Sequence, residues 1–201
     1  MIKKIILGLA MAATTLAACK NSSNKSTESQ IVSNNTQMIS HTDNAALTTS
    51  SVADAKNTVS IKEIVSTYLQ LKNALADDNS TNAATAGKAL EAAFKNFDKT
   101  ALTAAQKKTF EDVQDDAREH AEHIGKNGGN IAHQREHFEI LSKDICDLVK
   151  TFGGGQVLYK IFCPMYNNGK GAFWLSETKE IKNPYLGKAM PTCGTVIEEL
   201  K

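Results

Sequence analysis

The chain has 201 residues, 41% of them hydrophobic, and its 23 basic and 22 acidic side chains leave a formal net charge of +1 at pH 7. A charge so close to neutrality offers no basic stripe of the kind that binds nucleic acid, so we expect no nucleic-acid partner. Four cysteines in a chain of this length are too few for a disulfide scaffold.

Residues 1–18 have the features of an export signal. Lys3 and Lys4 form a positive start, and the apolar run that follows is too short to make a good membrane span. The run ends in Leu-Ala-Ala-Cys, which resembles the lipobox of bacterial lipoproteins. The resemblance implies cleavage before Cys19, lipidation of Cys19 and a stable membrane anchor of several acyl chains. The alternative is an ordinary secretory signal followed by a chance cysteine.

Residues 19–58 predict a lipidated cysteine followed by a disordered tether. The segment is rich in Ser, Thr and Asn and has no aromatic residue, so it cannot bury enough apolar surface to offset its chain entropy. Lys20 follows the cysteine directly. By resemblance to known sorting signals, this favours the outer membrane of the cell envelope, on the side that faces the periplasm. The remaining residues are enough for one domain with its own core.

The segment from about residue 60 to 152 predicts four amphipathic helices, because apolar residues recur there three and four positions apart. Thr103 and Gln106 form a capping-box signature at the start of the third helix. The sequence GKNGGN ends that helix, and Asn130 is placed to cap the fourth. Four such helices with short loops predict a mainly α protein built on an up-and-down four-helix bundle.

The segment from about residue 155 to 201 has a different pattern. VLYKIF and AFWLS predict two short strands, and NNGKG between them predicts a turn, so we expect a β-hairpin. The sequence that follows, IKNPYLGKAMPTCGTVIEEL, contains two of the three prolines and is expected to be irregular with a short ordered end. Because a hairpin alone is only marginally stable, this small subdomain has to pack against the bundle or be organised by something else.

Three stretches of the chain carry a resemblance to a known family. They are YLQLKNAL, HIGKNGGNIAHQREHFEILSKD and CPM…GAFWLS…IKNPYLGKAMPTCG. Together they resemble the DUF3347 family over about residues 60–197, which assigns residues 59–201 to a DUF3347-like domain. Members of that family are periplasmic modules found alone or appended to membrane-fusion subunits of copper and silver efflux systems. The resemblance therefore implies metal handling, with such a subunit as a partner.

Four sulfur-containing side chains lie in two turn-like segments of the C-terminal region. Cys163 and Met165 are two residues apart, and a second pair, Met190 and Cys193, lies further along the chain. Thiolate and thioether sulfurs are soft ligands that favour Cu(I). If the hairpin folds back, the two pairs can face each other as one metal site. The alternatives are a Cys163–Cys193 disulfide and methionines that fill the core.

Four histidines, His120, His123, His133 and His137, lie around the loop between the third and fourth helices. Spacings of three and four residues place the members of each pair on one helix face. Imidazole is the commonest ligand of Zn, Cu and Ni. By resemblance to the family, His123 and His137 are the two that we expect to supplement the sulfur ligands. The alternatives are solvated or capping histidines and, for His120, a buried histidine with a hydrogen-bond partner.

Residues 133–137, HQREH, also match an inverted zinc-peptidase pattern in which Glu136 would be the base. A pattern with three fixed positions arises easily in a histidine-rich helix, and the surrounding bundle pattern gives no sign of a third ligand or a substrate cleft. The sequence has no nucleophile elbow, phosphate loop or dinucleotide-binding glycine pattern. We therefore expect a protein that is not an enzyme.

These observations predict a lipid-anchored periplasmic protein that binds Cu(I), with Ag(I) or Zn as further metals, for buffering or delivery to efflux. The predicted metal ligands are Cys163, Met165, Met190, Cys193, His123 and His137. The alternative is a non-catalytic adaptor or structural module of an envelope complex, stabilised by a Cys163–Cys193 disulfide. The distance between sulfur atoms bears on this choice, because a disulfide holds its two sulfurs about 2 Å apart.

Overall fold

The computed structural model describes residues 60–201. The predictions for the export signal, for lipidation of Cys19 and for the tether fall on residues 1–58 and lie outside this part of the chain. None of the helices within residues 60–201 combines the length and the apolar character that a membrane span requires.

Four consecutive helices form the larger part of the structure, which confirms the predicted mainly α fold. Helix α1 spans Lys62–Ala76, α2 spans Ser80–Lys95, α3 spans Ala104–Lys126 and α4 spans Ile131–Phe152. Each helix packs chiefly against its neighbours in chain order. Their apolar stripes meet in one hydrophobic core, where Leu71, Leu90, Phe110 and Leu141 are fully buried.

The starts of α3 and α4 are set by side-chain caps that the sequence predicts. The Thr103 hydroxyl accepts a hydrogen bond from the Gln106 N–H at 3.3 Å, and the Gln106 side chain accepts one from the Thr103 N–H at 3.0 Å. This reciprocal pair is the predicted capping box, and it satisfies two backbone donors at the start of α3. Asn130 accepts from the His133 N–H at 3.2 Å and caps α4.

A three-stranded antiparallel sheet follows the helices, with strands β1 (Leu158–Cys163), β2 (Ala172–Ser176) and β3 (Thr195–Leu200) in the order β2-β1-β3. Strands β1 and β2 form the predicted hairpin. The short ordered end expected after the irregular segment is strand β3. It pairs with the other edge of β1, across a bulge at Lys160 and Ile161. A short 3-10 helix, Gly187–Ala189, lies in the connection between β2 and β3.

The sheet is attached to the bundle by buried polar contacts as well as by apolar packing. The hydroxyl of Tyr68 on α1 lies 2.8 Å from that of Ser142 on α4 and accepts a hydrogen bond from the Leu175 N–H of β2 at 3.1 Å. Lys72 of α1 is 2% exposed and pairs with Glu177, just after β2, at 2.7 Å. These contacts join three elements, so the hairpin does not have to be stable alone.

Candidate metal sites

The fold brings Cys163 and Cys193 together. Cys163 is the fully buried last residue of β1, and Cys193 lies half-buried two residues before β3. Their Sγ atoms are 2.7 Å apart. This separation is longer than the roughly 2.05 Å of a disulfide. It is shorter than the distance of about 3.8 Å between two sulfurs that bind the same tetrahedral ion at about 2.3 Å. A small movement of either side chain leads from this arrangement to a bridge or to a metal-bound pair.

Met165 and Met190 lie next to this cysteine pair. The Met165 N–H donates a hydrogen bond to the Cys193 sulfur, and the Cys193 N–H donates to the Met190 carbonyl at 3.2 Å. Burial and the adjacent Cys163 thiol raise the pKa of Cys193. The methionine side chains are 59% and 41% exposed, respectively, so the alternative that they fill the core is wrong.

The loop that carries the second sulfur pair is held by a single buried amide, that of Asn183. Its Nδ2 donates to the Cys193 carbonyl at 2.6 Å, and its Oδ1 accepts from the N–H groups of Tyr185 and Leu186 at 2.8 and 2.9 Å. The Asn183 N–H donates to the Pro191 carbonyl at 2.9 Å. This set of bonds fixes the backbone on both sides of the loop. In the sequence, the Asn-Pro dipeptide is the feature that indicates a turn here.

Aromatic residues pack against the backbone next to Cys193. Trp174 and Tyr185 are buried with ring centroids 5.9 Å apart, and the Tyr185 hydroxyl donates to the Phe173 carbonyl. A Cβ at Gly194 would lie 2.9 Å from the Trp174 ring, so only glycine lets the chain pass this close to the indole. The aromatic residues are therefore anchors of the sheet core, and they back the loop that ends at Cys193.

The four histidines form a second cluster, which we call the histidine cluster, between α3 and α4. His137 lies at its centre, with Nδ1 2.7 Å from Nδ1 of His120 and Nε2 3.1 Å from Nε2 of His133. The ring of His123 stacks on that of His137 with centroids 4.5 Å apart. One ligand atom each of His123, His133 and His137 lies within 4.8 Å of the other two.

The electrostatic surroundings keep the central imidazole neutral. Burial, together with the three other imidazoles, lowers the pKa of His137 to about 4. Each of the other three histidines has a carboxylate within 4 Å of one ring nitrogen. The pairs are Asp116 with Nε2 of His120 at 3.5 Å, Glu119 with Nε2 of His123 at 3.8 Å and Glu136 with Nδ1 of His133 at 3.4 Å.

The histidine cluster and the sulfur pair are separate in the described part of the chain. Within residues 60–201, the histidine trio is the one group of three or more His, Cys, Asp or Glu side chains close enough to share an ion. His123 and His137 therefore lie beside each other and beside His133. That they also bind a metal ion held by the sulfur pair stays a prediction.

Sequence reasoning did not place His120 and His133 in a shared site with the two chosen histidines. Spacing along each helix showed which face a histidine occupies, but the approach of α3 to α4 decides which rings meet. Glu136, the base of the peptidase-like pattern, is 71% exposed and lies beside the ring of His133. Its carboxylate therefore serves as a partner of an imidazole.

One family model matches the chain. The family described as "Protein of unknown function (DUF3347)" matches residues 64–156, which confirms the resemblance noted in the sequence. The match begins in α1 and ends after α4, so it contains the histidine cluster, whereas the sulfur pair lies beyond it. No curated protein and no solved structure matches the chain.

Proposed function

We propose that the protein binds a soft metal ion, Cu(I) or Ag(I), through Cys163 and Cys193, with the thioethers of Met165 and Met190 as further ligands. The observation that carries this proposal is the 2.7 Å contact between two thiol sulfurs beside two exposed methionines. Thiolate and thioether sulfurs select Cu(I) over harder ions. Burial and the Cys163 thiol raise the pKa of Cys193, and the Met165 N–H that points at its sulfur acts in the opposite direction, toward the thiolate that a metal ion requires.

The proposed mechanism is ligand exchange, without a catalytic step. Exposed, flexible thioethers give an arriving ion its first soft contacts at the surface. The ion then passes to the thiolates, which replace its previous ligands. An ion held in this way can be buffered or handed to another protein.

The setting of this function is also part of the proposal. The Leu-Ala-Ala-Cys sequence supports a lipid anchor at Cys19, and Lys20 supports placement in the outer membrane, facing the periplasm. The resemblance to modules of copper and silver efflux systems supports a membrane-fusion subunit as the partner that receives the ion.

The same sulfur contact favours a second candidate function, a non-catalytic adaptor stapled by a Cys163–Cys193 disulfide. Such a bridge would join the end of β1 to the residues just before β3 across thirty residues. Closing a loop of this length stabilises a fold by about 3.6 kcal/mol. The adaptor would then offer a rigid sheet surface to an envelope complex.

A Cu(I) titration of the reduced full chain against a chromophoric chelator tests the metal proposal. We expect one tightly bound Cu(I) and a thiolate-to-copper absorption band. The double variant Cys163→Ser, Cys193→Ser should bind Cu(I) more than about 100-fold more weakly. Removing the ligands themselves costs more affinity than removing a residue that only supports a ligand. Met165→Leu and Met190→Leu keep side-chain size and should weaken binding less.

Cys146→Ala is the matched control, because this thiol is buried within α4 and burial raises its pKa. It should leave Cu(I) affinity unchanged. An affinity that survives loss of both Cys163 and Cys193 would contradict the proposal. Mass analysis of the periplasmic protein without reductant separates the two functions, because a quantitative bridge with no metal uptake supports the adaptor.

A further inference from the structure

We infer that the histidine cluster is a second metal site, for a borderline divalent cation of the Zn²⁺ class, with His123, His133 and His137 as its ligands. His120 acts as a positioning residue behind His137. The inference stands on the geometry of α3 and α4 alone and does not depend on the sulfur pair.

The spacing of the ring nitrogens fits one shared ion. The Nε2 atoms of His133 and His137 are 3.1 Å apart, and two nitrogens bound to one tetrahedral ion at about 2.0–2.1 Å lie about 3.3 Å apart. Two facing Nε2 atoms need either a shared proton or a shared cation between them. The ligand atom of His123 lies within 4.8 Å of both, so a small closure completes a three-nitrogen set.

A chain of polar contacts fixes the tautomer of the central ligand. Asp116 lies 3.5 Å from Nε2 of His120 and holds that ring's proton there, which leaves Nδ1 of His120 as an acceptor. His137 donates its Nδ1 proton to this acceptor at 2.7 Å. Nε2 of His137 is then unprotonated and faces His133. A carboxylate-supported imidazole of this kind is what orients histidine ligands around metal ions.

The other two ligands have carboxylates of their own. Glu136 lies 3.4 Å from Nδ1 of His133 and keeps the proton on that nitrogen, so Nε2 is free for the ion. Glu119 lies 3.8 Å from Nε2 of His123, which leaves Nδ1.

The donor set determines the class of ion. Three imidazole nitrogens without a thiolate suit Zn²⁺, Ni²⁺ or Cu²⁺, whereas soft Cu(I) prefers sulfur. Three protein ligands also leave a fourth position open for water or for a ligand from another molecule. Because the cluster is half-buried between two helices, such an ion would be able to enter and leave.

A Zn²⁺ titration of the full chain that carries Cys163→Ser and Cys193→Ser tests the inference. We expect one bound Zn²⁺ in this background and a loss of more than about 100-fold on adding His137→Gln, with a loss of about 10-fold for Asp116→Asn. His41→Gln, which removes the histidine that lies outside residues 60–201, is the matched control and should change nothing. Bound Co²⁺ should show visible bands without thiolate charge transfer.

Two results would overturn the inference: no Zn²⁺ binding in the double-cysteine background, or an affinity that His137→Gln leaves unchanged. Circular dichroism checks that each variant is folded, and His123→Gln, at a 44% exposed side chain, replaces His137→Gln if that variant unfolds. A Cu(I) titration of His137→Gln with both cysteines intact separates the two sites. Unchanged Cu(I) affinity is expected, and a loss there would mean that one shared site exists instead.

Discussion

Single side chains decide which ions the two candidate sites favour. Cys163 and Cys193 offer soft sulfur, and the histidine cluster offers nitrogen of intermediate softness. The carboxylates around the histidines act through proton position, because each holds one tautomer in place. The sulfur pair has no such set of carboxylates among the contacts of residues 60–201, and the Cys193 sulfur instead accepts a hydrogen bond from the Met165 N–H.

Asp144 is the residue for which the fold predicts a clear pH effect. Burial, followed by the charges of Asp116 and Asp147, raises the pKa of this carboxyl to about 7, and its Oδ2 accepts no hydrogen bond from residues 60–201. Because the folded-state pKa lies above the unfolded value near 4, the free energy of unfolding falls as pH rises from about 4 through 7. The ionised carboxylate is the form that opposes folding.

Asp144→Asn should therefore stabilise the protein at pH 8 by about 1 kcal/mol, a value discounted for the partial exposure of the group. The gain should vanish at pH 4, where Asp144 is protonated in the folded state. Urea denaturation at the two pH values measures both numbers. Equal stabilisation at pH 4 and pH 8 would contradict the proposed titration.

At the scale of elements, the parts that the sequence predicted are those that depend on nearby residues. The capping box of Thr103 and Gln106 and the cap at Asn130 are local, and so are the apolar stripes of the four helices. The C-terminal segment was expected to be irregular with a short ordered end. That this end is strand β3 was not predicted, because its strand state comes from pairing with the free edge of β1, far away in the chain. The residues of β3 alone do not indicate that such a partner strand is present.

The candidate sites show the same division. The sequence allowed Cys163 and Cys193 to meet, and in the structure they meet because β3 pairs with β1, which places the end of β1 beside the residues just before Thr195. The separation of the histidines from the sulfurs did not follow, because it depends on which face of α4 packs against α3. A spacing of four residues fixes a face of one helix but not its partner.

The connection between β2 and β3 gives the prediction at this scale. Asn183→Ala removes the three side-chain hydrogen bonds that hold this loop and leaves the Cys193 carbonyl without this donor. We expect the free energy of unfolding to fall by about 2–3 kcal/mol. Cu(I) affinity should fall as well, since Cys193 loses its fixed position.

Lys182→Ala, at the exposed neighbouring position, is the control and should change neither quantity by a measurable amount. Chemical denaturation and the chelator titration provide the two readouts. A variant at Asn183 that loses stability but keeps full Cu(I) affinity would show that the loop does not position the metal ligands.

At the scale of the whole molecule, the bundle and the sheet are joined through α1. Tyr68 contacts α4 and β2 at once, and Lys72 reaches Glu177 beyond the end of β2. Burial lowers the pKa of Lys72, and the carboxylate of Glu177 opposes this effect. Because these contacts cross from helices to sheet, we expect the domain to unfold in one cooperative step.

Glu177→Gln leaves the Lys72 ammonium buried without its counter-charge. The free energy of unfolding should fall by about 2 kcal/mol, less than for a fully buried pair because Glu177 is 33% exposed. Glu111→Gln is the comparison, since the Lys107–Glu111 pair is exposed on both sides and should contribute less than about 0.5 kcal/mol. Equal effects of the two variants would show that the bundle–sheet pair contributes no more than a surface pair.

The unequal exposure of the two cysteines sets an order of events. Cys163 is fully buried, while Cys193 reaches solvent, so Cys193 is the first of the two thiols that a thiol reagent, a partner's disulfide or an ion passed on by the methionines meets. A bond at Cys163 then forms second, from within. By reversal of the same path the bond at Cys163 breaks first, which makes Cys193 the last of the two thiols to release whatever is bound here.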